Sequence, residues 1–285
     1  MAVAINDIVD NIDDLVSLPG IFVRINQMIN DPACTVTQLG EVLSQDPGLT
    51  VRLLRIANSP LYGLSTEVDT ATKAVTVIGL QRVRDLVLAT SAVEAFEGIP
   101  NDLLTMDNFW LHSIYCGLIA KFLAAKIKLA QSESLFVAGL LHDFGHLVMF
   151  SRIPELARQA LELEMEGNDD IDLYRLEQNH IGFDHAMIGG SVATHWQLPA
   201  MLVETIRYHH EPEKAKAFAK QTAIVHIANS LAVLAELNAT ELSETDAPAI
   251  HPYAWEITQL DNSVIAPALD DAKQKFAEMR ALLLS

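Results

Sequence analysis

Apolar positions along this chain recur at intervals of three and four residues, and no stretch sustains the apolar–polar alternation of a half-buried strand. The pattern predicts an all-α fold. Local punctuation places several of its helices. Asp46-Pro47 is a start signal, because Asp can accept the orphan amide hydrogens of a first turn and Pro at the first helical position has no amide hydrogen to lose. Leu49 to Ala57 continues that helix, and Asn58-Ser59-Pro60 ends it. Thr35 and Gln38 have the spacing of a capping box. A helix over Ala71 to Ile78 stops at Gly79, and another restarts through LQRVRDLVLATSAVEAF.

These signals divide the chain into an amino-terminal lobe of short helices, residues 1–98, and a lobe of longer helices, residues 99–237. The segment EGIPND, residues 97–102, is the clearest boundary. Residues 238–285 follow as a surface loop, NATELSETDAPAIHPY, and a last helix from about Ala266 to Leu284. No internal repeat or low-complexity tract is present.

Composition narrows the classes of partner. Half of the 285 residues are hydrophobic, enough for a sizeable core. The 37 acidic and 19 basic residues leave a net charge of −18, which repels a phosphate backbone and an anionic membrane surface alike. Nucleic acid and membrane are therefore disfavoured as partners. Two cysteines, Cys34 and Cys116, cannot form a disulfide framework. The first residues carry acid where a secretory signal would be basic, and no uncharged apolar run of about 18 residues occurs. A soluble cytoplasmic protein is the expectation.

Chemistry concentrates in the second lobe, which holds nine of the ten histidines. His112 shares a helical stripe with Cys116, Ile119 and Leu123, so its ring should point inward. His142-Asp143 lies in VAGLLHDFGHLVMF, read as an apolar helix in which an unpaired carboxylate would be costly. His185 shares a stripe with Ile188, Val192 and Trp196. His209-His210 ends a helix that begins near Pro199. Each of these side chains taken singly is more often a hydrogen-bonded core residue than a metal ligand. Six inward nitrogen and oxygen donors together point to a cation.

The order His112, His142-Asp143, His185, His209-His210 resembles the HD superfamily of metal-dependent phosphohydrolases, particularly its HD-GYP and HDOD branches. LPGIFVRINQMINDP, LSQDPGLTVRLLRIANSPLYG and ATKAVTVIGLQRVRDLVLA resemble successive HDOD signature segments. AGLLHDFGHLV, GFDHAMIGG and YHHEP continue them in order, so the resemblance runs from about residue 15 to 235. It implies an all-helical HDOD bundle whose helices converge on one or two divalent ions. His112, His142 and Asp143 would serve one ion, and His185, His209 and His210 a second, with Asp143 shared. Imidazole and carboxylate suit Fe, Mn, Ni or Zn.

Three departures from catalytically active relatives accompany the resemblance. Asn229 stands where they place a ligand Asp, His146 stands where the HD-GYP branch has Lys, and no GYP follows the HHE. Asn229 is a weak ligand and His146 falls outside the expected set. A regulatory role in bacterial signal transduction, with a protein partner or small phosphorylated ligand, is therefore the first expectation. A metal-dependent phosphomono- or phosphodiesterase is the second, and a metal-free helical scaffold the third. His180 and His251 are read as solvated, His226 as a support for the ligands, and Arg82, Arg84 and Arg207 as partners of surface carboxylates.

Overall fold

A computed structural model describes residues 4–10, 12, 19–59, 62, 64, 66–96, 105–129, 132–165, 172–236 and 249–284. All regular structure among them is helical. In chain order the α-helices are α1 (Ile5–Val9), α2 (Gly20–Asn30), α3 (Val36–Leu43), α4 (Pro47–Ala57), α5 (Ala71–Ile78), α6 (Leu80–Ala95), α7 (Met106–Lys126) and α8 (Ser132–Leu141). They continue as α9 (Phe144–Arg152), α10 (Pro154–Met165), α11 (Leu173–Ile181), α12 (His185–His195), α13 (Ala200–Tyr208), α14 (Ala219–Glu236), α15 (Pro252–Thr258) and α16 (Ile265–Leu283).

The chain forms two compact units, one from residues 1–16 and 98–272, the other from residues 17–97 and 273–285. The boundary segment 97–102 lies outside the described residues, as does most of the predicted loop 238–253. From that loop's last residues a short helix emerges: Pro252 opens α15, and His251 Nδ1 accepts the Tyr253 amide at 3.3 Å. Two turns are too few to show a helical period, and so the sequence pattern does not reveal them.

In the 17–97 unit, helix ends follow the local signals. Thr35 Oγ1 accepts the Gln38 amide at 3.2 Å, while Gln38 Oε1 accepts the Thr35 amide at 2.9 Å, completing a capping box on α3. Asp46 Oδ1 caps α4 through the Leu49 amide at 2.9 Å. Gly79 joins α5 to α6 at φ 92°, a conformation that costs a side chain more than it costs glycine. Asn58 closes the following loop by exchanging two hydrogen bonds with the Val68 backbone, at 2.7 and 2.8 Å. Thr35→Ala should lower stability by about 1 kcal/mol, the usual worth of an N-cap, read as a lower urea midpoint for this unit.

In the larger unit, α7 lies between α8 and α14, and α12 packs against both α9 and α13. Cys116, Ile119 and Leu123 from α7 are fully buried, as the stripe predicts. Ser132–Arg152 is long and apolar enough to cross a membrane, yet 83% of its most apolar window is buried among the other helices. His142-Asp143 also interrupts it. The doublet lies in a turn between α8 and α9, not within one helix. In a continuous helix adjacent side chains diverge by about 100°; the turn instead brings His142 Nε2 to 3.1 Å from Asp143 Oδ2.

Candidate metal centre

Asp143 is the hub. Its Oδ2 lies 3.1 Å from His142 Nε2 and 3.8 Å from His112 Nε2, while Oδ1 lies 3.3 Å from both His185 Nε2 and His209 Nε2. His210 joins the second group through a 2.9 Å separation between its Nε2 and that of His185. Two ligand sets result, His112–His142–Asp143 and Asp143–His185–His209–His210, each compact enough to hold one ion. All six residues singled out from the sequence meet here. Most of them sit at helix ends: His185 opens α12, and His209 and His210 follow α13.

The rings are held from behind. His142 Nδ1 donates to the Gly139 carbonyl at 2.7 Å, and His209 Nδ1 to the Ile206 carbonyl at 2.8 Å. His185 Nδ1 meets Glu177 Oε2 at 2.7 Å, and His112 Nδ1 pairs with Glu236. A hydrogen on Nδ1 leaves the Nε2 lone pair to face the hub, which is the usual orientation of metal-ligating histidine. Moreover, His142 Nε2, His209 Nε2 and Asp143 Oδ1 are buried without a hydrogen-bond partner, although each is within 3.3 Å of another of these groups. Orphaned buried polar atoms are rare and costly, and a divalent ion in each set would satisfy them.

Burial and mutual charge set the protonation of these groups. Burial alone would raise the Asp143 carboxyl, but the His142 charge and contacts from His185 and His209 hold it well below the ordinary carboxylate range. Burial likewise opposes charge on His185, yet Glu177 and Asp143 outweigh it and push the ring up to about 10. Burial pulls His209 down to about 4, and burial with the neighbouring His209 and His185 rings holds His210 well below its ordinary value. At neutral pH the second set thus contains one protonated ring and two neutral ones.

This state gives metal uptake a definite pH dependence. An ion using His185 Nε2 must displace its proton below about pH 10, so apparent affinity should rise roughly tenfold per pH unit as pH increases. His209 and His210 are already neutral above pH 6.5 and add no further slope there. Calorimetric Zn²⁺ titrations at pH 6.5 and 7.5 in two buffers of different ionisation enthalpy should register about one proton released per second-set ion. An affinity independent of pH would contradict the assignment.

The remaining predicted residues take supporting places. Asn229 lies on α14 with its amide oxygen 2.9 Å from His112 Nε2, bringing a neutral group to the first set. His146 stands beside the second set, its ring stacked on His185 at 3.7 Å between centroids. His226 Nδ1 donates to the His209 carbonyl at 2.7 Å, and its Nε2 accepts the His251 amide at 2.9 Å. His180 lies near the end of α11, exposed as expected and 2.8 Å from Gln159. Arg84 pairs with Asp85, while Arg207 donates to Ser191 at 3.3 Å.

Sequence reasoning missed Glu177 and Glu236. Glu177 shares an inward stripe with Tyr174, and Glu236 follows Asn229 by two helical turns on one face of α14. A carboxylate on a buried stripe was the available signal, the same one that singled out Asp143. Tyr174 was missed as well: its ring stacks on His210 at 4.5 Å and 7°. Both ligand sets open onto a cavity of about 860 Å³, within the usual range for small-molecule sites. Among the described residues its lining includes Glu164, Asp172 and Glu236 but only one Lys or Arg, Arg175.

The HDOD domain family matches residues 15–212. The chain belongs to the HDOD domain family. An HDOD domain protein of unknown function from Geobacter sulfurreducens superposes with a TM-score of 0.72 at 26% identity, covering 97% of this chain and 96% of that one. A Shewanella amazonensis SB2B protein named "putative phosphohydrolase" gives 0.73 at 25% identity, covering 97% of each chain. An uncharacterized Treponema pallidum (strain Nichols) protein is 28% identical over 225 residues, 77% of this chain. The match spans 43% of that relative's length. The two solved structures share the helical architecture, and the histidine–aspartate cluster of this chain could hold a metal ion.

Proposed function

We propose that this chain is an HDOD signal-transduction module whose metal centre is retained to organise a binding cavity rather than to turn over phosphate esters. A regulatory protein or a small phosphorylated molecule is its partner. The carrying observation is the charge of the cavity: among the described residues three carboxylates besides Asp143 line it, against one Arg, Arg175. A phosphate entering it depends almost wholly on the ions for attraction: His146 stands where the HD-GYP branch has a phosphate-neutralising Lys, and no Lys lines the cavity among the described residues. The neutral Asn229 amide beside His112 further reduces the negative charge that would hold the first ion.

A second reading, a metal-dependent phosphohydrolase, is favoured by the carboxylate shared between two histidine sets at the mouth of a ligand-sized cavity. Bound ions there would supply Lewis acidity toward a phosphoryl oxygen. In both readings Asp143 and the five histidines hold the ions, and the carbonyls and carboxylates behind the rings of His112, His142, His185 and His209 fix their direction. The test is elemental analysis of the purified chain, followed by phosphomonoester and phosphodiester hydrolysis with Mn, Fe, Ni or Zn. Metal binding without turnover is expected. Metal-dependent hydrolysis that disappears in His142→Ala would establish the enzyme instead, and a chain that takes up no ion would leave only the scaffold.

A further inference from the structure

Glu177 is a carboxylate only 2% exposed, on α11, outside both ligand sets. Its Oε2 accepts from the His185 backbone amide at 2.9 Å and from His185 Nδ1 at 2.7 Å. Its Oε1 is 3.4 Å from His146 Nδ1, and the His146 ring lies flat against that of His185, 21° from parallel. His185 is thereby gripped at its backbone, at one ring nitrogen and across one ring face. Rotation of the ring would break the Nδ1 contact, so Nε2 stays aimed at Asp143.

We infer that Glu177 is the positioning residue of the second ligand set, fixing His185 with hydrogen on Nδ1 and strengthening Nε2 as a metal donor; this rests on reading the cluster as a metal centre. A carboxylate behind a ligating imidazole increases its donor strength, and the effect is greatest where water is excluded. Glu236 stands in the same relation to His112, but its side chain is 29% exposed and solvent screens it. Backbone carbonyls brace His142 and His209 without a full charge. Glu177 is thus the one dry, charged brace among the four. Glu177, His146 and His185 could also be grouped as a third cation site. Glu177 already engages His185 Nδ1, whereas the Nε2 direction toward Asp143 requires no rearrangement.

The test compares wild type, Glu177→Gln, His112→Ala and the double variant by Zn²⁺ titration of the full chain. Wild type should take two ions and His112→Ala one strong ion. Adding Glu177→Gln to either should weaken the second-set ion about 10- to 100-fold, the usual effect of losing such a support; in the Glu177→Gln single variant the first-set affinity should stay within twofold of wild type. Unchanged affinity, or equal weakening of both positions, would overturn the inference alone. No ion in wild type would overturn the metal-centre reading and this inference with it. Should the Gln variant fail to fold, ring ¹⁵N spectra of Zn²⁺-loaded wild type decide the question: zinc on His185 Nε2 with hydrogen on Nδ1 supports the assignment, and zinc on Nδ1 defeats it.

Discussion

Asp143→Asn should abolish tight metal binding at both positions together. The substitution keeps size and shape but removes the charge whose two oxygens face the two ligand sets, at 3.1 Å on one side and 3.3 Å on the other. Structural zinc binding is worth about 10–16 kcal/mol over four ligands, so one charged ligand carries roughly 3–4 kcal/mol, or about 10²–10³ in affinity. Both ions should weaken by at least that factor, whereas His112→Ala should affect only the first. Metal content after dialysis, measured by mass spectrometry, reads the difference. One ion retained at full affinity in Asp143→Asn would mean that the carboxylate is not shared.

Gly145→Ala should destabilise the larger unit and damage the second ligand set in the same step. A Cβ at this position would lie 2.0 Å from the His185 carbonyl oxygen and 2.9 Å from the Gly189 amide nitrogen, so α9 and α12 would have to move apart. Both obstacles are backbone, and backbone cannot swing aside as a long side chain can. Overpacking of this kind costs about 3 kcal/mol, or roughly 6–12 °C in melting temperature for a unit of this size. His185 opens α12, so the displacement should also weaken its ion more than the one bound by His112. Gly20→Ala is the control: its added Cβ meets nothing within 4 Å, and stability should be unchanged or slightly higher. Equal melting temperatures for the two variants would show that α9 and α12 tolerate the extra atom.

Much of this architecture is visible without coordinates because its causes are local. The Thr35 and Asp46 caps, the positive φ at Gly79 and the inward stripe of His112 each depend on residues within one or two turns. Each of the six donors faces inward by its own local pattern, and it was the resemblance to the HD superfamily that implied they converge on one site. The turn at His142-Asp143 was hidden because its apolar neighbours continue through it, and periodicity cannot distinguish one buried helix from two joined by a buried break.

Sequence alone therefore determined the helical class, the family and the identity of the clustered donors, all of which follow from short-range pattern and residue order. Tertiary structure decided which oxygen of Asp143 faces which histidines, that Glu177 and Glu236 stand behind two of the rings, and that the cavity above them is acidic. Those features join residues as far apart as His112 and Glu236, 124 positions along the chain. Such distances are set by how helices pack, and packing is a property of many side chains at once rather than of any segment.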